Sequence, residues 1–408
     1  MPASFPLRTL AWPDAMTAPN AETPLISVVM ANFEAGDKIV LALQSVLRQT
    51  MGNLEVIVSD DCSGDDSVDL VRGLMTGDDR IRLVAGDRNA GPAACRNRAL
   101  DAARGRWIAI VDSDDIIHPE RFERLLAAAG RQHADIIADD LLLFFEDGTP
   151  PRLMLGDDAE ASFSVTPERW VLAGQDGSPA LGYLKPLISA NRLAALRYDE
   201  ELRIGEDYDL ILRLLLDGAH MVVVPEPYYL YRRHSGSISH RLSVSDMQAM
   251  VDRQEALVAA QGPLAPALAA ACARRLGNLR QGLAYETLVA SIKQRRIPAT
   301  LSLLATDPGQ LRRLWTSFSE GRQRRQAPVA RPVSPLLVLG AQGTPGAAQA
   351  VPAYIPVAQT DWSAPRTRHV WLDLAGRRGI GAVRCVPLDQ AGHYAAGFIP
   401  EAEIASAP

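Results

Sequence analysis

The sequence predicts an α/β fold, a mostly parallel sheet layered with helices, followed by a helical segment and a small C-terminal region. Two observations carry this. Short apolar, β-branched runs alternate with helical patterns from residue 25 to 111, and the connections between them are short. Polar and acidic residues then gather at the C-terminal ends of those runs, where ligands of parallel sheets bind.

Taken in order, "LISVVMA" (25–31) reads as a buried strand. Ile39, Leu43, Val46 and Leu47 then mark one face of a helix. "LEVIVS" (54–59) is a second strand, followed by an acidic loop and a helix over 68–75. "IRLVAG" (81–86) is a third strand. "GPAACRNRALDAA" (91–103) is helical, with Pro92 suited to a first turn. "WIAIV" (107–111) is a fourth strand. Beyond it, 134–148 reads as a strand or hairpin, 150–180 as irregular, 208–218 as a helix, and 220–234 as a strand bent at its prolines. Residues 245–320 are helical and rich in Ala, Leu and Arg. The expected divisions are a flexible lead-in over 1–23, an α/β domain over 24–242, a helical segment over 243–330, and a small module or loose tail over 331–408.

Composition narrows the function classes. The 408 residues carry a net charge of −6 and are 47% hydrophobic, which fits a globular protein with a large core and argues against a nucleic-acid binder. Four widely separated cysteines without a CxxC pair fit a reducing compartment. The N-terminus lacks an apolar stretch of signal-peptide length, and no segment approaches the ~20 apolar residues of a spanning helix. A cytoplasmic location is expected, with peripheral contact at the inner face of the membrane. From Lys293 to Arg331 nine basic residues face two acidic ones, with Trp315 and Phe318 among them. Such a stretch suits an anionic lipid surface, although a solvated basic helix explains it as well.

The fourth strand runs straight into Asp112, Asp114 and Asp115. Carboxylates this close repel unless a cation or donors compensate. Asp112 and Asp114 lie two apart, so an extended chain points them the same way. That pair suits Mg²⁺ or Mn²⁺ shared with phosphate oxygens. A calcium EF-hand fails because Ile117 stands where glycine is required. An aspartyl-phosphate phosphatase would carry the motif on the first strand rather than the fourth. A solvated acidic loop is the bland alternative.

Together these stretches resemble the family 2 glycosyltransferases, inverting enzymes with the GT-A fold. The resemblance spans about Leu25 to Ser239 and rests on five ordered motifs. They are "SVVMANFE", "LQSVLRQTMGNLEVIVSDDCSGD" (43–65), "RNAGPAACRNRALDAARGRWIAIVDSDD" (88–115), "GEDYDLILRL" (205–214) and "YRRHSGSIS" (231–239). The first departs from the family's usual Pro-Thr-Tyr-Asn ending. The resemblance implies that Asp61 binds the nucleotide base, with Asn32 and Phe33 lining the same pocket. It implies that Asp112 touches the ribose and that Asp114, with Asp115, holds the metal. Arg96 would lie near the phosphates or sugar, with Asn97 in support. Asp207 would be the general base, and His234 would bind the metal or the departing diphosphate. Other readings of these residues are ordinary: helix-start acids for Glu206 and Asp207, and loop or capping roles for Asp60 and Asp61.

The expected function is therefore metal-dependent transfer of a hexose from a nucleotide-diphosphate sugar, UDP-linked, to a glycan or lipid-linked acceptor in cell-surface polysaccharide synthesis. A non-catalytic nucleotide-sugar-binding scaffold is the alternative, against which the retained Asp207 speaks. A nucleotidyltransferase would want a Gly- and Lys/Arg-rich loop after the first strand, which "ANFEAGDK" does not offer.

Overall fold

The computed structural model describes residues 23–145, 152–156, 159–233, 242–307, 309–311 and 314, together with two short segments, 336–340 and 382–386. The alternation read from the sequence is present. Strand β1 (Ile26–Asn32) leads to α1 (Lys38–Leu47), β2 (Leu54–Asp60) to α2 (Ser67–Met75), β3 (Ile81–Ala85) to α3 (Pro92–Ala102), and β4 (Trp107–Ile110) follows. These four strands are parallel, in the order β3-β2-β1-β4. Both faces of β1 and β2 are buried, which is why their sequences are continuous apolar runs and not alternating ones. Ile39, Leu43 and Val46 of α1 are fully buried.

The second half of the sheet is mixed. It adds β5 (Ile116–Ile117), β6 (Ile136–Phe145), β7 (Arg152–Leu153), β8 (Phe163–Val165), β9 (Leu187–Ser189) and β10 (Met221–Arg233). Beyond β4 the order continues β9-β6-β10-β5, with β9 antiparallel to both β4 and β6. Strand β6 is one continuous strand parallel to β10, and the register of that pair shifts between Val224 and Tyr229, at the two prolines. Helix α4 (Arg121–Gln132) lies in a stretch that the sequence reading left unassigned, although Phe122, Leu125 and Ala129 mark a buried face. Short helix α5 (Pro167–Leu172) lies in the stretch read as irregular, α6 (Ala190–Leu193) follows β9, and α7 (Glu206–Leu216) comes next.

Helices α8 (Val244–Ala260), α9 (Pro266–Lys293) and α10 (Ile297–Thr306) come next. Leu257, Leu268, Ala271 and Cys272 belong to the same buried cluster as the sheet, so the core runs on past residue 242. Arg253 of α8 reaches Asp209 of α7 at 2.6 Å, and Arg275 of α9 lies over the Tyr208 ring at 3.6 Å. Among the described residues of the C-terminal region, β11 (Leu336–Gly340) and β12 (Ala382–Val386) form an antiparallel pair. The lead-in over 1–22 and most of 331–408 lie outside the described residues. No helix among the described residues is long and apolar enough to cross a membrane.

Candidate active site

The carboxyl ends of β1, β2 and β4 and the start of α7 open onto one cleft of about 910 Å³. Asn32, Phe33, Asp61, Arg96, Asp112, Asp114 and Asp207 all line it. Residues from four separate stretches of sequence thus meet at one place, as the strand-end argument requires.

Asp61 is buried and fixed. Its Oδ2 accepts the Gly91 N–H at 2.8 Å and the Ala90 N–H at 3.1 Å, and its Oδ1 accepts from Arg98 at 3.0 Å. Gly91 has φ +91°, so the turn that aims those N–H groups at Asp61 favours a residue without Cβ. Asn32 is also buried. Its amide donates to Asp60 at 2.7 Å and to Ser67 at 2.9 Å, tying the end of β1 to the loop after β2. Phe33 is 44% exposed, a large apolar ring left on the cleft wall.

The centre of the cleft is a charge network. Arg96 donates to Glu206 at 2.7 Å and to Asp112 at 3.0 Å, and lies 3.7 Å from Asp207. Lys185 Nζ sits 2.8 Å from Asp112 and 3.1 Å from Asp207. Burial alone would raise the Asp112 carboxyl, but Lys185 and Arg96 outweigh it and hold the group at about 2. Burial would raise Asp207 too, and Arg96, then Lys185, bring it below the usual carboxylate range. Both acids are therefore ionised at neutral pH. Burial works against the Lys185 ammonium, yet Asp112 and Asp207 raise it and keep it charged. The first turn of α7 adds a favourable dipole for Glu206 and Asp207.

Lys185 was not anticipated. It stands in "GYLKPLIS", an apolar context with no motif. Topology brings it in: Lys185 precedes β9 as Asp112 follows β4, and the two strands are antiparallel, with Ala109 opposite Leu187. Asn97 exchanges hydrogen bonds with the Tyr198 backbone, in the loop before α7, at 3.0 and 2.9 Å.

Asp115 departs from expectation. It is 1% exposed and does not line the cleft. One oxygen accepts the Tyr229 hydroxyl at 2.8 Å and the other the Arg232 N–H at 2.7 Å. Burial, then Asp114 and Asp112, push its carboxyl well up. Both of its oxygens are thus engaged by the fold, away from the cleft that Asp114 lines. A turn at Ser113 and Asp114, closed by the Asp115 N–H donating to the Asp112 carbonyl at 3.3 Å, leaves Asp112 and Asp114 on the cleft and carries Asp115 into the interior. His234 lies outside the described residues. No group of three His, Cys, Asp or Glu side chains able to hold a metal occurs among the described residues. A cation shared between one carboxylate and substrate phosphates needs no such cage, and Asp114, half-buried on the cleft wall, fits that arrangement.

Comparison with known proteins agrees with this geometry. Residues 27–175 match the family model described as glycosyl transferase family 2. The chain is 34% identical over 323 residues to the succinoglycan biosynthesis protein ExoO of Rhizobium meliloti (strain 1021), covering 77% of this chain and 90% of that protein. It is 33% identical over 247 residues to ExoU of the same organism, covering 57% and 69%. Among solved structures, residues 1–349 of S. aureus TarS align with a TM-score of 0.51 at 19% identity, over 72% of this chain and 91% of that one, a likeness of fold. The chain belongs to glycosyl transferase family 2 and is a glycosyltransferase.

Proposed function

We propose that the cleft transfers a hexose, with inversion, from a UDP-sugar to a glycan or lipid-linked acceptor in the assembly of a cell-surface polysaccharide. The observation that supports this best is the pairing of Asp112 and Asp207 across Arg96 and Lys185, which sets a donor-side carboxylate beside an ionised candidate base. In this reading Asp61 and Asn32 hold the base of the nucleotide, Phe33 covers it, and Asp112 takes the ribose. The acceptor hydroxyl attacks the anomeric carbon. As the new C–O bond forms, the bond from that carbon to the phosphate oxygen breaks, its electron pair leaves on the diphosphate, and the proton passes to Asp207. Arg96 lies where it can face the leaving charge. A divalent cation, Mn²⁺ or Mg²⁺, held by Asp114 and the diphosphate would supply Lewis-acid stabilisation of that charge.

The names of the relatives motivate the polysaccharide setting, since both ExoO and ExoU are succinoglycan biosynthesis proteins. A lipid-linked acceptor sits at a membrane, and the face of α10 offers a means of reaching one. Ile297 and Leu301 are 68% and 62% exposed, beside the exposed Lys293, Arg295 and Arg296.

Calorimetric titration of UDP, with and without Mn²⁺, tests the donor assignment. The wild type is expected to bind UDP more tightly with Mn²⁺, and Asp114→Asn to lose that dependence while keeping the metal-free affinity. A wild type that binds neither UDP nor GDP under either condition would overturn the reading.

A further inference from the structure

The charge network contains one cation that no motif accounts for, and it occupies the most central position. Lys185 is 5% exposed, and its ammonium touches a carboxylate on the donor side and another on the acceptor side. Its mount is rigid. Pro186 follows it and favours an extended backbone at Lys185. The Lys185 carbonyl accepts from the fully buried Arg121, whose guanidinium also grips the fully buried Asp139 at 2.8 Å. Arg121 in turn lies over the ring of Tyr229, 4.9 Å from its centroid, and the Tyr229 hydroxyl accepts the Asp112 N–H at 3.1 Å. Backbone and ammonium are thus held by separate devices, and both lead to the strand end that carries Asp112.

Burying an ammonium costs several kcal/mol unless it is paired. One carboxylate would balance its charge, although its three N–H donors call for further acceptors. Here the ammonium is shared between two, drawn from distant motifs, on the wall of the cleft. We propose that Lys185 is a positioning residue that links donor recognition to proton acceptance: one ammonium sets Asp112 for the donor and Asp207 for the acceptor hydroxyl, so the two act as a unit. This rests on the donor and base roles given above. The groups facing Asp207 are Arg96 from α3, Lys185 from the approach to β9, Asp112 from the end of β4, Tyr198 from the loop before α7, and its own neighbour Glu206. Arg96 also contacts all three acids and has the larger charge effect on Asp207, but it stands 3.7 Å away, whereas Lys185 hydrogen-bonds that carboxylate at 3.1 Å.

The test uses the full chain with Lys185→Met and Lys185→Arg. Three quantities are read: UDP affinity, the pH profile of UDP release from UDP-glucose and UDP-galactose, and the carboxyl ¹³C titration of Asp207, assigned with Asp207→Asn. Removing the charge takes away a partner that favours the ionised form. Lys185→Met should therefore move both the Asp207 titration and the acid limb of turnover to higher pH, by about one unit or more, and weaken UDP binding in parallel. Lys185→Arg keeps the charge but not its shape, so the acid limb should hold while turnover falls, on the order of 10²-fold for a misplacement of ~1 Å. A folded Lys185→Met with the wild-type limb, or with only one of the two effects, overturns the linkage. If Lys185→Met does not fold, Lys185→Arg decides, and wild-type turnover in that variant overturns it. The ¹³C titration needs no substrate. Absence of wild-type UDP binding or release therefore sinks the functional reading separately from the Lys185–Asp207 tie.

Discussion

Asp207, the proposed base, is held by cations. Arg96 and Lys185 keep it ionised at neutral pH, and both oxygens face a positive group. Such a carboxylate is a modest base, so its worth comes from placement more than from proton affinity. Asp207→Asn keeps the shape and removes the acceptor of the proton. Release of UDP from UDP-sugar by that variant should fall by ~10²–10⁴-fold, with UDP affinity within a few-fold of wild type. Loss of affinity in proportion to loss of turnover would instead place Asp207 on the donor. This residue was visible in the sequence because "GEDYDLILRL" resembles an acidic motif of the family. Lys185 stayed hidden because a lysine among Leu, Pro and Ile has no local signature; only the antiparallel pairing of β9 with β4 reveals its neighbour. Asp115 shows the opposite failure. A turn at Ser113 and Asp114 interrupts the extended chain after β4, so the two-residue spacing does not fix which carboxylate faces the cleft.

Elements decide how the site is supported. The parallel half of the sheet was legible because β1 and β2 are buried on both faces and α1 shows an apolar stripe. The mixed half was less so. Strands β5, β7, β8 and β9 are two or three residues long and carry no period, and β5, β8 and β9 pair with partners far away in sequence. The division at residue 242 was drawn from a change in composition, whereas packing ignores it. Helix α7, which carries Asp207, is clasped from behind by α8 and α9. Arg253 pairs with Asp209 at 2.6 Å and with Asp199 at 3.0 Å, Arg275 covers Tyr208, and Leu257 and Leu268 enter the common core. A chain ended after residue 242 would expose that apolar face and leave the buried Asp209 with fewer cations. It is expected to aggregate, or to lose its cooperative thermal transition in circular dichroism. A truncated chain that melts cooperatively and binds UDP like the full chain would show that α8 and α9 are a separate module.

At the scale of the whole molecule the charge is unevenly spread. The net charge is −6, yet no acidic residue occurs between Glu286 and Asp307, where Lys293, Arg295 and Arg296 stand together. Ile292, Ile297, Leu301 and Leu311 are 43%, 68%, 62% and 55% exposed on the same region. These exposed apolar residues and the cations beside them are what the proposed contact with an anionic lipid surface would use. A solvated basic helix would have the charges without the exposed isoleucine and leucine. Flotation with phosphatidylglycerol vesicles should therefore recover the protein, and phosphatidylcholine vesicles should recover much less. Raising the salt to ~1 M, where the Debye length falls to ~3 Å, should weaken the charge-driven part of that binding. Ile297→Glu with Leu301→Glu should abolish flotation while leaving the melting temperature and UDP affinity unchanged, because both side chains are exposed and far along the chain from the cleft residues. Equal recovery by neutral and anionic vesicles, or flotation unaffected by the double substitution, would remove α10 from the interface and leave its basic residues as a solvated face.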